Sequence, residues 1–194
     1  MLPFKTYTYR LFNIFVFLTW AISLNANEIQ QDSLSYSDIL KNAREIRYRD
    51  PDTAITILQN VHEEALQKGD TVSAVYALLE MPFSYGQRVD YSKSYDSLWH
   101  ALFLADDVNN DFLRATVYGL LGRLYSFYKR KEQAFEYLQI SLDIRKKLVK
   151  EGLLDRAYLV DTYYLMSSTY RELDEPKMAK VYLDSCFAYY EDVP

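Results

Sequence analysis

The side chains able to do chemistry are few, and their spacing excludes most of the reactions they could serve. The 194-residue sequence has two histidines, His62 and His100. A helix-borne zinc pair needs its second imidazole one helical turn away, on the same face, and neither histidine has such a neighbour. Both read as rim or solvent-facing residues. The single cysteine, Cys186, rules out an internal disulfide framework and any cysteine-based zinc site. It falls on a small-residue packing position and reads as an inert buried thiol rather than a nucleophile. The five glycines are scattered, so there is no glycine-rich loop to cradle a phosphate. No motif sets a serine on a strained strand-to-helix turn. Two cationic runs remain, Lys129-Arg130-Lys131 and Arg145-Lys146-Lys147. They read as a solvated turn and as a solvated helix C-terminus, where cations complement the helix dipole. This set predicts no catalytic residue, no metal site and no cofactor, and hence a protein that is not an enzyme.

The elements carrying these residues are helical. Only 5 Gly and 5 Pro serve the whole chain, too few for the turns of an all-β fold, while 49% hydrophobic and 25% charged residues are ordinary for a globular domain. The 19 Tyr and 10 Phe form a heavy aromatic load that helix-on-helix interfaces absorb. Residues 1–26 differ from the rest. They hold no Asp or Glu, carry Lys5 and Arg10, then run apolar from Leu11 to Leu24 and end on Ala26. A basic start, a short apolar run and a small terminal residue predict a secretory signal peptide. Fourteen helical residues span about 21 Å, short of a hydrocarbon core of about 30 Å. The segment is therefore expected to be cleaved, with membrane attachment only if it is not, and the chain to cross the inner membrane into the periplasm. Without Lys5 and Arg10 the net charge moves from −5 to −7. An acidic body of this kind is unsuited to nucleic acid, whose phosphates need a basic face.

From Ser35 onward, apolar residues recur at three- and four-residue steps, as in Leu113, Val117, Leu120, Leu121 and Leu124. Polar breaks fall at Arg49–Asp52, Lys68–Asp70, Gln87–Asp90, Asp106–Asp111, Lys129–Lys131, Glu151-Gly152 and Asp174–Pro176. They delimit eight helices, taken in pairs. The second helix of each pair opens on a small residue followed four later by leucine: Ala54/Leu58, Ser94/Leu98, Ala134/Leu138 and Ala179/Leu183, at steps of 40, 40 and 45. Tyr85, Tyr125 and Tyr170 each stand nine residues before the small position. Self-similarity at a fixed period is the mark of a repeat array. A signal peptide over 1–26, a linker over 27–35 and a repeat domain over 36–194 follow, with units of about 36–69, 70–108, 110–152 and 155–192.

The third unit resembles a tetratricopeptide repeat, whose pattern is W-x2-L-G-x2-Y, then A-x3-F, then P. Tyr118, Leu121-Gly122, Tyr125 and Ala134/Leu138 stand in those places, and no unit has the terminal proline. The fourth unit matches through Tyr163, Met166-Ser167, Tyr170, Ala179 and Leu183, and the second, more loosely, through Leu78, Met81-Pro82, Tyr85, Ser94 and Leu98. Units longer than the family's usual 34 resemble the extracytoplasmic helical arrays of some bacterial membrane-bound signalling proteins. The resemblance implies an all-α fold, a right-handed α-α superhelix of about four hairpins. It also implies binding of a protein or peptide on the concave surface lined by the first helices. The residues it places there are Tyr76, Leu79, Phe83 and Gln87, then Thr116, Arg123 and Phe127, then Asp161, Tyr164, Ser168 and Arg171. Two roles are open, an exported scaffold or the sensory part of a signal-transduction regulator. The last helix ends on Leu183, Phe187, Tyr189 and Tyr190 without a polar cap, so self-association through that face is a further expectation.

Overall fold

The computed structural model describes residues 36–191, with side chains to Ala188. The expected signal peptide, the linker, Tyr189, Tyr190 and Val193-Pro194 lie outside the residues or side chains described. Eight helices and no strand occur among the described residues: α1 (36–46), α2 (Pro51–Gln67), α3 (Thr71–Gln87), α4 (Tyr91–Asp107), α5 (Asp111–Phe127), α6 (Lys131–Lys150), α7 (Ala157–Glu172) and α8 (Pro176–Glu191). Each packs on its neighbours in the chain. First helices also touch across units, α3 on α5 and α5 on α7, which is the arrangement of an all-helical solenoid.

The 40-residue period is built from a 20-residue beat. Helices α2 to α5 each have 17 residues, and three-residue turns separate them. Asp50, Asp70, Asp90 and Asn110 accept hydrogen bonds from the backbone N–H three residues on, at 3.0–3.2 Å, which satisfies an otherwise orphaned donor at each helix start. The residue just before these caps is left-handed at three of the turns: Gly69, Val89 and Asn109. The next N–H then reaches back five residues, as from Asp70 to Ala65 O at 2.8 Å and from Asp90 to Tyr85 O at 2.9 Å. This is the Schellman closure, and it makes each helix stop also the next helix start. The beat continues at Lys129, where φ is 56°, but Arg130 makes no capping side-chain bond. Helix α6 then runs to 20 residues and a longer connection over 151–156 follows, which accounts for the last step of 45.

Val89 is the residue least suited to its turn. It holds φ 58° and is 68% exposed, so a β-branched side chain bears left-handed strain with no packing in return. Val89→Gly is expected to raise stability by about 1 kcal/mol. Thermal melting checks this, and a lower midpoint would show that Val89 makes a compensating contact.

The small positions do what their period implies. Ala54, Ala134 and Leu138 are fully buried and Ser94 nearly so. Gly122 has the tightest fit: a Cβ there would lie 2.6 Å from Leu138 Cγ and 2.9 Å from Ala134 O. Ser141 closes the same joint by donating to Ala115 O at 2.6 Å. Two apolar clusters result. The larger runs from α1 to α5, and the smaller holds Leu138, Leu142, Leu159, Tyr163 and Met166. Aromatic rings cover the seams. Tyr125 and Tyr137 stack at 5.3 Å, Tyr118 and Tyr137 at 6.0 Å, and Tyr125 donates to Tyr95 at 3.0 Å. Farther along, Tyr170 stacks between Phe135 at 3.9 Å and Tyr182 at 5.2 Å. Burial, and then Tyr182, push the Tyr170 phenol up to about 12.

Candidate functional site

The face formed by α3 and α5 opens into a cavity of about 360 Å³. The solenoid makes it: α3 and α5 are successive first helices, and α4 behind them closes the floor with Leu98. The wall is largely apolar, from Pro82, Leu120, Leu124 and the rings of Phe83, Tyr91 and Phe127, with Tyr48 reaching over from the α1–α2 turn. Pockets of this size take a small ligand or one large side chain. Four sequence-expected residues meet here: Phe83, Gln87, Arg123 and Phe127.

Charge at this cavity is one-sided. Arg123 is the one charged residue in its lining. Its guanidinium lies 5.9 Å from the Phe127 ring centroid, and no carboxylate among the described residues pairs with it. A second cation, Arg47, sits 4.6 Å over the Phe83 ring but is held at 3.1 Å by Glu80, which also binds Arg44 at 3.0 Å. Burial raises the Glu80 carboxyl above the usual carboxylate range, and Arg44 and Arg47 offset only part of that. Arg47 is thus neutralised locally while Arg123 is free to meet an external anion.

The other expected residues lie apart from this cavity. Tyr76 lines a separate recess of about 460 Å³ beside Leu40, Arg44 and Val72, and its phenol is pushed up by burial and then by Tyr158. Asp161, Tyr164 and Arg171 sit exposed on α7, Tyr164 at 60%. Of the remaining positions placed on the inner curve, Leu79 is buried, and Thr116 and Ser168 are half-buried with hydroxyls donating to backbone carbonyls. The cavity residues that sequence reasoning did not single out are Tyr48, Gly86 and Tyr91. Tyr48 belongs to a turn rather than a helix face, and a glycine carries no signal in an apolar pattern.

One cationic reading changes. Arg145 is not a solvated cap: it is half-buried and ties three helices together, donating to Thr162 Oγ1 at 2.8 Å, Tyr158 O at 3.2 Å and Thr116 Oγ1 at 3.5 Å. Burial lowers its pKa, which nearby Asp161 partly offsets. Its position one turn from the end of a long helix looked terminal, but α7 folds back over it. At the other run, Lys129 donates to Glu172 O at 2.7 Å and Lys131 pairs with Glu175, so this turn clamps onto the next hairpin.

The two histidines meet on the opposite, second-helix face. Their rings stand edge to face with centroids 5.0 Å apart, because a separation close to one period places them side by side on α2 and α4. Nδ1 of His62 lies 3.2 Å from Ala74 O, and a carbonyl only accepts, so Nδ1 carries the hydrogen. The surrounding recess is lined by Glu63, Lys93 and Asp96, and no group of three potential metal ligands occurs among the described residues. Burial, then His62, lowers the His100 pKa below its ordinary 6.5. The unfolded chain therefore takes up this proton first, and His100's contribution to stability is complete above about pH 6.5 and lost as pH falls toward the folded value. His100→Gln is expected to flatten the decline in melting midpoint from neutral to mildly acidic pH. An unchanged slope would assign the decline to other groups.

Cys186 is half-buried, with Sγ 3.7 Å from Val160 O, and burial pushes its thiol pKa up, against nucleophilic reactivity.

Comparison with known proteins agrees with the helical-repeat fold. Residues 115–147 and 160–192 each match the tetratricopeptide repeat family model, covering most of α5 and of α6, then most of α7 and all of α8. Among solved structures, the crystal structure of BtubC (BKLC) from P. vanneervenii superposes with a TM-score of 0.56 at 20% sequence identity, over 84% of this chain and 73% of that one. At that identity the likeness concerns the fold alone. No curated protein matches the chain.

Proposed function

We propose that this tetratricopeptide-like helical-repeat protein is a scaffold that binds a protein or peptide through its inner, first-helix face. The observation that carries the reading is the α3–α5 cavity, where exposed rings and an unpaired arginine converge on a rigid helical wall. Aromatic and arginine side chains dominate the energetics of protein interfaces because they supply large contact area and directed hydrogen bonds. Phe127 is 53% exposed and Tyr48 is 65% exposed, so these rings are available to a partner. Peptide-array binding by the folded double variant Arg123→Ala/Phe127→Ala is expected to fall at least tenfold, about 1.4 kcal/mol. Unaltered binding would move the site off this face.

Two finer features belong to the same proposal. Export to the periplasm is supported by the basic start and short apolar run of residues 1–26. Self-association is supported by Val181 and Phe187, which stand exposed on α8. The mass of the mature chain and light scattering at high concentration test them; an uncleaved cytoplasmic chain and a clean monomer would remove each in turn.

A further inference from the structure

Gly86 is a glycine that its own helix does not require. It sits in the last turn of α3 without a positive φ, and a Cβ added there would meet nothing within 4 Å. Gly122 is the opposite case, with a neighbour at 2.6 Å. A helical glycine costs about 0.5–1 kcal/mol relative to alanine, and neither close packing nor backbone conformation explains it at position 86. Gly86 lines the α3–α5 cavity, so the missing side chain leaves that cavity open.

The charge pattern narrows what could enter. The chain as a whole is acidic, at −5, yet no Asp or Glu lines this cavity and Arg123 stands in its wall. An apolar recess beside one uncompensated guanidinium complements an apolar group that carries a carboxylate beside it. Resting on the scaffold reading above, we propose that the cavity seats one aromatic or large aliphatic side chain of a peptide against Gly86, and that Arg123 pairs with an Asp or Glu side chain next to it in the ligand. The partner is thus an acidic, aromatic-bearing segment rather than a basic or purely polar one.

The test is selection of random phage-displayed peptides on the full chain, in parallel with Gly86→Leu, which fills the cavity, and Arg123→Glu, which reverses its charge. Both positions are free of packing contacts that the fold needs, and melting confirms that each variant is folded; Arg123→Glu alone suffices if Gly86→Leu is not. The wild type is expected to enrich peptides with Phe, Tyr, Trp or Leu beside Asp or Glu. Those peptides should bind Gly86→Leu at least tenfold more weakly, and Arg123→Glu should enrich Lys or Arg in place of the acid. Peptides without acidic bias, or with the same bias on Arg123→Glu, would overturn this proposal. If such peptides are still weakened by Gly86→Leu, the groove reading survives. Failure to enrich any peptide, or equal binding to wild type and both variants, would overturn both.

Discussion

Leu138→Ala will remove about 2–5 kcal/mol of stability and lower the melting midpoint by about 5–15 °C. Leu138 has no exposed surface and anchors the smaller apolar cluster, with Leu142, Leu159, Tyr163 and Met166 around it. Its side chain also fills the notch left by Gly122, so truncation opens a void where α5 and α6 approach most closely. The helices flanking the void are held by their own backbone bonds and cannot collapse to fill it. In a repeat array the loss propagates through neighbouring interfaces rather than across the whole chain at once. Amide exchange should therefore accelerate in α6, α7 and α8 more than in α2 and α3. A midpoint within about 2 °C of the wild type would show that the α5–α6 joint relaxes around the deletion.

Gly122→Ala is the complementary experiment, because it adds one methyl at the same joint. The new Cβ would fall 2.6 Å from Leu138 Cγ and 2.9 Å from a backbone carbonyl, and only the leucine can turn aside. Overpacking of this kind costs about 1–3 kcal/mol, which outweighs the helix-propensity gain of alanine over glycine, about 1 kcal/mol. The double variant Gly122→Ala/Leu138→Ala should be less destabilised than the sum of the single changes, by about 0.5–3 kcal/mol, since each relieves the fault of the other. Denaturant melts of all four proteins close the cycle. Strict additivity would mean that Gly122 and Leu138 are not in contact.

The architecture was legible because the period survives where motif residues fail. Ala54, Ser94, Ala134 and Ala179 mark every unit, although the family pattern matches only the third and fourth closely. The 20-residue beat beneath that period was harder to read. Three of its turns use Val89, Asn109 and Lys129 at positive φ instead of the glycine that usually signals a helix stop, and the capping residues Asp50, Asp70, Asp90 and Asn110 betray the next start.

The site was half legible for a related reason. The family resemblance, projected along the first helices, implied one inner face for Phe83, Gln87, Arg123 and Phe127, and these four share one cavity. The same projection put Tyr76, Asp161, Tyr164 and Arg171 on that face too, but the structure sets them apart from the cavity, because adjacency along a solenoid is local and a face of four units is not one pocket. Tyr48 and Gly86 were invisible to periodicity, one lying in a turn and the other having no side chain. The burial of Arg145 and the meeting of His62 with His100 both depend on how a neighbouring helix folds back, which the spacing within a single helix does not encode.

The proposed scaffold receives its partner on the inner face, not the outer one. A photo-crosslinking amino acid at position 127 on α5 and another at position 103 on α4 sample the two faces, both wild-type residues being exposed, Phe103 at 70%. Using a peptide that binds the full chain, crosslinking should concentrate at position 127 and be lost when unlabelled peptide competes. Equal or greater crosslinking from position 103 would contradict it.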